Sequence, residues 1–156
     1  MMRVYCLFFL WFFAVSSPAL AQRGSISVSG NWATGIPSSQ RVQEAGLDYE
    51  NIEIESAHNQ VYIDLTAIWD WEVHVQCDYS NFLPGCTLQV RRRGRGTFWF
   101  IYDGISYQSL NTTPSYFFRG YFNGSNVPIQ YKIVGSVSVL DEVKTYEAVV
   151  TYTLHD

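Results

Sequence analysis

From Tyr49 to its end the sequence alternates apolar and polar side chains with a period of two, and nowhere after residue 21 does an apolar stripe recur at helical spacing. The clearest stretch is YEAVVTYTLHD, residues 146 to 156, where Tyr146, Ala148, Val150, Tyr152 and Leu154 share one face of a strand. The pattern predicts strands over residues 25–29, 49–55, 60–66, 69–77, 86–92, 97–102, 115–122, 127–139 and 145–154. Leu83-Pro84-Gly85, Gly94-Arg95-Gly96, Asp103-Gly104, Asn111-Thr112-Thr113-Pro114 and Asn123-Gly124 punctuate them as turns. Short strands at regular spacing predict an all-β fold: a single immunoglobulin-like antiparallel β-sandwich, with a closed barrel as the alternative.

The start of the chain has a different character. Arg3, an apolar run from Val4 to Val15, and small residues at Ala19 and Ala21 form the pattern of a secretory signal peptide cleaved after Ala21. That run falls short of the roughly 20 residues a membrane-spanning helix needs. Cys6 lies inside it without a lipid-anchor context. The expected organisation is a signal peptide over 1–21, an N-terminal strand and linker over 22–46, and a β-sandwich domain over 47–156. After cleavage about 135 residues remain, enough for one domain with its own core. The expected destination is secretion, to the extracellular medium, the cell surface or the periplasm, with no membrane span. Lys and Arg number 10 against 14 Asp and Glu, and without Arg3 the balance is about −5, which disfavours nucleic acid as a partner.

Two cysteines follow the leader, Cys77 and Cys86. In an oxidising compartment such a pair predicts a disulfide. Alternation places both sulfurs inward across an expected hairpin, where closing a loop of about ten residues would stabilise the fold by roughly 2.5–3 kcal/mol. Two thiols fall short of the four ligands of a zinc site, and no metal or cofactor is expected. The segment ATGIPSSQRVQEAG, residues 33–46, reads as a linker that separates the strand Ser25, Ile26, Ser27, Val28 and Ser29 from the rest.

Three clusters are candidate sites. The run Arg91, Arg92, Arg93 and Arg95 reads as an exposed turn, fit for an anionic surface polymer or for keeping an edge from aggregating. Five aromatics crowd Tyr116 to Phe122, and strict alternation buries only about half of them. With Trp99, the residues Tyr116, Phe118 and Tyr121 make a candidate interface or ligand face, since exposed aromatics suit sugar rings and protein partners. Asp70, Glu72 and His74 share the face opposite Trp71, Val73 and Val75 and read as the wet side of a half-buried strand. No GxSxG, HExxH or Cys-His arrangement is present, so no enzyme is expected.

The leader, the small β domain and the final strand Val150-Thr151-Tyr152-Thr153-Leu154 together resemble secreted bacterial β-sandwich coat and pilus subunits of the spore-coat-U and chaperone-usher kind. The cysteine pair, mid-chain, departs from the pilus pattern. The resemblance implies an exported, non-enzymatic structural subunit that self-assembles into a fibre, pilus-like filament or surface layer by exchange of its N-terminal strand. The alternative is a secreted carbohydrate- or surface-binding adhesion module that uses the aromatic and arginine-rich strands.

Overall fold

A computed structural model of the chain describes residues 24–36, 46–142 and 144–155. The expected signal peptide, and residues 37–45 of the linker expected over 33–46, lie outside those residues. The described chain is all-β: β1 (Ser25–Ser29), β2 (Tyr49–Glu55), β3 (Val61–Thr66), β4 (Asp70–Asn81), β5 (Cys86–Arg92), β6 (Ile101–Tyr102), β7 (Gln108–Ser109), β8 (Ser115–Tyr121), β9 (Gly124–Val137) and β10 (Glu147–His155). They form two antiparallel sheets in a sandwich-like arrangement. The larger has the order β1-β3-β9-β5-β7 with β2 also on β9, and the smaller runs β10-β4-β8-β6. Among the described residues no helix is long and apolar enough to cross a membrane.

The spine of the larger sheet is β9. Along one edge it pairs with β5, and along the other β3 and β2 lie end to end, β3 on its first half and β2 on its second. Ser56 closes the gap between them. Its N–H donates to the Tyr131 carbonyl at 2.9 Å, its hydroxyl accepts the Tyr131 N–H at 2.9 Å, and its carbonyl accepts Gln130 Nε2 at 2.9 Å. These bonds satisfy the polar groups of Ser56 and the Gln130 amide where the strands break, which is why both residues can be buried.

In the smaller sheet β4 alternates as its sequence predicts, with Trp71, Val73, Val75 and Cys77 inside and Asp70, Glu72 and His74 outside. The buried Trp71 donates Nε1–H to the Phe122 carbonyl at 2.8 Å and meets Phe98 and Phe118 edge-on, with ring centroids at 5.3 and 5.9 Å. Gly120 lies opposite it in register. A Cβ there would come within 2.6 Å of Trp71 Cζ2 and of the Phe100 carbonyl oxygen, so only glycine lets the indole lie flat beneath β8. A register shift between Val73 and His74 adds one residue to β8, and Phe117 and Phe118 both turn inward at that bulge.

Strand prediction succeeds here better than strand pairing. Consecutive strands are never ladder partners, and from β3 onward each connection passes from one sheet to the other. The expected hairpin between Cys77 and Cys86 is therefore absent: Cys77 lies opposite Val150 of β10, and Cys86 opposite Gly135 of β9. The expected disulfide is corrected with it, because both cysteines are free and stand on different sheets. Each thiol instead donates weakly to a carbonyl, Cys77 to Asp78 and Cys86 to Ser136, both at 3.7 Å. Burial pushes the Cys77 thiol up to about 11 and raises Cys86 as well, so both are protonated and poorly nucleophilic at neutral pH. Alkylation in denaturant without prior reduction is expected to label both residues by mass spectrometry, whereas the native protein reacts slowly and at Cys86 before Cys77.

A pair of tyrosine hydroxyls joins the sheets in the core. The hydroxyls of Tyr131 on β9 and Tyr152 on β10 are 2.8 Å apart, and Trp32 stacks on Tyr131 with ring centroids at 6.3 Å. Burial holds the Tyr131 phenol up to about 12 and raises Tyr152 further. In the unfolded chain both ionise near pH 10. Above that value the unfolded state releases protons that the native state retains, so this stability is complete below pH 10 and is lost as pH climbs towards 12. Tyr152→Phe leaves the Tyr131 hydroxyl unanswered and is expected to cost about 1–2 kcal/mol in urea unfolding at pH 7. The double Phe variant should cost less than the sum of the single variants and lose stability less steeply above pH 10.

Candidate functional site

The smaller sheet turns a chemically rich face to solvent. Register sets Asp70 opposite Tyr121, Glu72 between Arg119 of β8 and His155 of β10, and His74 between Tyr116 and Thr153. Strand alternation sends these residues of β4 and β10 outward, and on β8 the bulge at Phe117 and Phe118 keeps both Tyr116 and the pair Arg119 and Tyr121 on that face. The rings of His74 and His155 lie 4.4 Å apart between centroids, and His74 Nε2 is 3.5 Å from Glu72 Oε2. Tyr102 of β6 meets Tyr121 edge to face at 6.4 Å. Asp70, Trp71, Glu72, Arg119, Gly120, Tyr121 and His155 line a shallow cleft of about 260 Å³.

The loop that carries β6 is anchored by an arginine. Arg92 ends the inward series Cys86, Leu88, Val90 on β5, so alternation buries it. Its Nε and Nη2 donate to the Asp103 carbonyl at 3.0 and 2.7 Å, and Nη1 donates to the Gly94 carbonyl at 2.7 Å. Burial lowers the pKa of the guanidinium, and nearby Asp103 opposes that shift. On its other side Asp103 reaches the outer face: its carboxylate accepts the Tyr116 hydroxyl and stands 3.8 Å from Arg119 Nε. Burial and this bond push the Tyr116 phenol up to about 12. The chain of contacts Arg92, Asp103, Tyr116 and Arg119 thus ties the loop to β8.

The residues expected to form one ligand face are divided by the fold. Arg91 lies on the outer face of the larger sheet, over the Tyr107 ring at 4.1 Å and donating to Gln130 Oε1 at 3.0 Å. Arg92 is buried, and Arg93 Nη2 faces His58 Nδ1 at 3.3 Å. Arg95 is exposed in the loop, so the arginine run is not one solvated tip. Phe118 is fully buried against Trp71. Tyr116 and Tyr121 belong to the smaller sheet's outer face, and Trp99 stands 87 % exposed before β6. The expected assembly strand, Ser25–Ser29, pairs with β3 of its own chain.

Sequence reading missed Asp103, Tyr102, Arg119 and His155 as neighbours of the Asp70, Glu72 and His74 face. Their common signal is outward position on strands whose adjacency is not local. Among the described residues no three His, Cys, Asp or Glu side chains gather as a metal site, and no hydroxyl or thiol hydrogen-bonds to His74 or His155. The face offers acceptors, donors and aromatic surface, the equipment of binding.

Replacing Arg92 with Lys removes the planar fork that answers two carbonyls. It is expected to lower stability by about 2–3 kcal/mol in urea unfolding, whereas Arg95→Lys should change it by less than about 0.5 kcal/mol.

Comparison with protein-family models, with curated proteins and with solved structures finds no match.

Proposed function

We propose that this chain is an exported, non-enzymatic structural subunit, an immunoglobulin-like sandwich behind a secretory leader, that assembles with copies of itself by exchanging β1. The observation that carries the reading is how lightly β1 is held. It pairs with β3 alone, its side chains are mostly exposed, and only Ile26 packs partly against the core. Beyond Trp32, which stacks on Tyr131, residues 33–48 lead to β2 and, extended, reach up to roughly 50 Å. A strand on such a tether meets the same partners on a neighbouring copy as on its own, so exchange forms equivalent bonds and concentration decides between them. Head-to-tail exchange does not close on itself and grows a filament.

The groove also favours its own sequence. A Cβ at Gly24 would lie 2.8 Å from Leu154 Cδ2 and 2.8 Å from the Thr66 carbonyl oxygen, so the incoming strand must bring a glycine at that position. Another copy does. The likeness to coat and pilus subunits in the leader and final strand supports the same reading.

Ser25 and Thr66 are exposed register partners. In a Cys86→Ser background, Ser25→Cys with Thr66→Cys is expected to give a ladder of covalent oligomers on a non-reducing gel after oxidation, with neither single variant forming it. Bridges confined to monomers, or a native chain that stays monomeric by light scattering at every accessible concentration, would overturn the proposal.

A further inference from the structure

The outer faces of the two sheets carry similar residues in opposite states of satisfaction. On the larger sheet Lys132 pairs with Glu53 at 2.5 Å and approaches Glu55 at 3.8 Å, Tyr107 donates to Glu55 at 3.0 Å, and Arg91 covers the Tyr107 ring while bonding Gln130. Those charges answer one another. In the cleft of the smaller sheet, among the described residues, Asp70 makes no hydrogen bond or ion pair and the Tyr121 hydroxyl has no partner. The Arg119 guanidinium makes no side-chain hydrogen bond; it approaches Asp103 at 3.8 Å and lies over the Tyr102 ring at 5.9 Å.

We propose that this cleft, formed by Asp70, Glu72, Arg119, Tyr121 and His155, binds a neutral pyranose chain. A pyranose with equatorial substituents has an apolar C–H face and a rim of hydroxyls that both donate and accept. It needs an exposed aromatic ring beside fixed acceptors and donors. Tyr121 supplies the ring, 43 % exposed and braced edge to face by Tyr102. Asp70 and Glu72 accept, Arg119 donates, and the His155 imidazole does either. The volume, about 260 Å³, lies below the roughly 300–1,000 Å³ of drug-sized pockets and suits a sugar ring. All these groups sit on strands, so little ordering entropy is lost on binding.

Charge selects among sugars. Two carboxylates face one guanidinium, an acidic excess that repels uronic and sulfated polymers. A second exposed aromatic pair stands at the start of β4 and the end of β8. Trp69 precedes Asp70 and Phe122 follows Tyr121; their rings lie 6.3 Å apart, held by a bond from the Phe122 N–H to the Trp69 carbonyl at 3.1 Å. They are 64 % and 47 % exposed, an aromatic pair just outside the cleft-lining strands. The site is independent of β1 exchange, because no residue of β1 contributes to it.

Native gels cast with hydroxyethyl cellulose, xylan or galactomannan, and a parallel gel with heparin, test the inference on the full chain. Retardation by at least one neutral polymer and none by heparin is expected. Tyr121→Ala should weaken that binding about tenfold, Asp70→Asn about threefold, and Tyr107→Ala on the opposite sheet not at all. No retardation by any neutral polymer, retardation by heparin alone, or Tyr121→Ala and Asp70→Asn both binding as the native chain does would overturn it. Should Tyr121→Ala lose its far-UV circular dichroism, Asp70→Asn decides by itself, since Asp70 is exposed and holds nothing in the fold.

Discussion

Packing between the sheets is the condition on which every other feature of this molecule rests. No two consecutive strands are ladder partners, so each ladder joins segments distant in sequence and must close a long loop before its hydrogen bonds form. A hairpin could form locally and wait for its partners; none exists among the described residues. The compensation comes from the interior, where Trp71, Phe98, Phe117 and Phe118 interlock and residues from both sheets join one apolar cluster. Folds dominated by non-local pairing nucleate slowly, because loop entropy is lost before contacts repay it. The glycines at 120 and 124 serve that interior directly: a Cβ at either would strike an aromatic ring, Trp71 in the first case and Phe98 in the second.

This wiring also explains what could be read from the sequence. Alternation is a local property, and it placed β4, β5, β8 and β10 nearly where they are and sent Asp70, Glu72 and His74 outward. Partner choice is not local, and the turn at Leu83-Pro84-Gly85 looks like a hairpin turn although it carries the chain between sheets. The hairpin expected between Cys77 and Cys86 failed for that reason. Arg92 was different, because its signal was present: counting by twos from Cys86 leads inward to it, but four arginines in five residues read as solvent. Phe117 and Phe118 defeated alternation through a bulge, which no period-two count contains. The site was legible as one strand's polar face and illegible as a cleft, since Arg119, Tyr121 and His155 become its walls only through the pairing of β8 and β10 with β4.

The same interior shapes the surface. Arg92 is a buried cation without a carboxylate in contact, neutralised by backbone carbonyls, and the residue whose carbonyl it takes is the one whose side chain holds Tyr116 and steadies Arg119. A core requirement therefore fixes groups on the outer face some strands away. The larger sheet had no such lever and instead satisfied its charges in place, with Lys132 between two glutamates and Tyr107 beneath Arg91. One face is closed by its own ion pairs and the other is left with unanswered acceptors and donors.

The two proposed roles occupy different parts of the molecule, and that separation has a physical consequence. β1 lies at the margin of the larger sheet, touching β10 near Leu154, whereas the cleft opens on the outward side of β4 and β8. Exchange of β1 between copies leaves the cleft uncovered in every subunit. A shallow site with one stacking ring and a few hydrogen bonds binds weakly, because little apolar area is buried against the cost of ordering the ligand. Repeated along an assembly, such sites meet a polymeric ligand at high effective concentration, and avidity rises by orders of magnitude without any new contact. If both proposals hold, a weak cleft repeated along the assembly suffices for firm attachment to a polysaccharide surface.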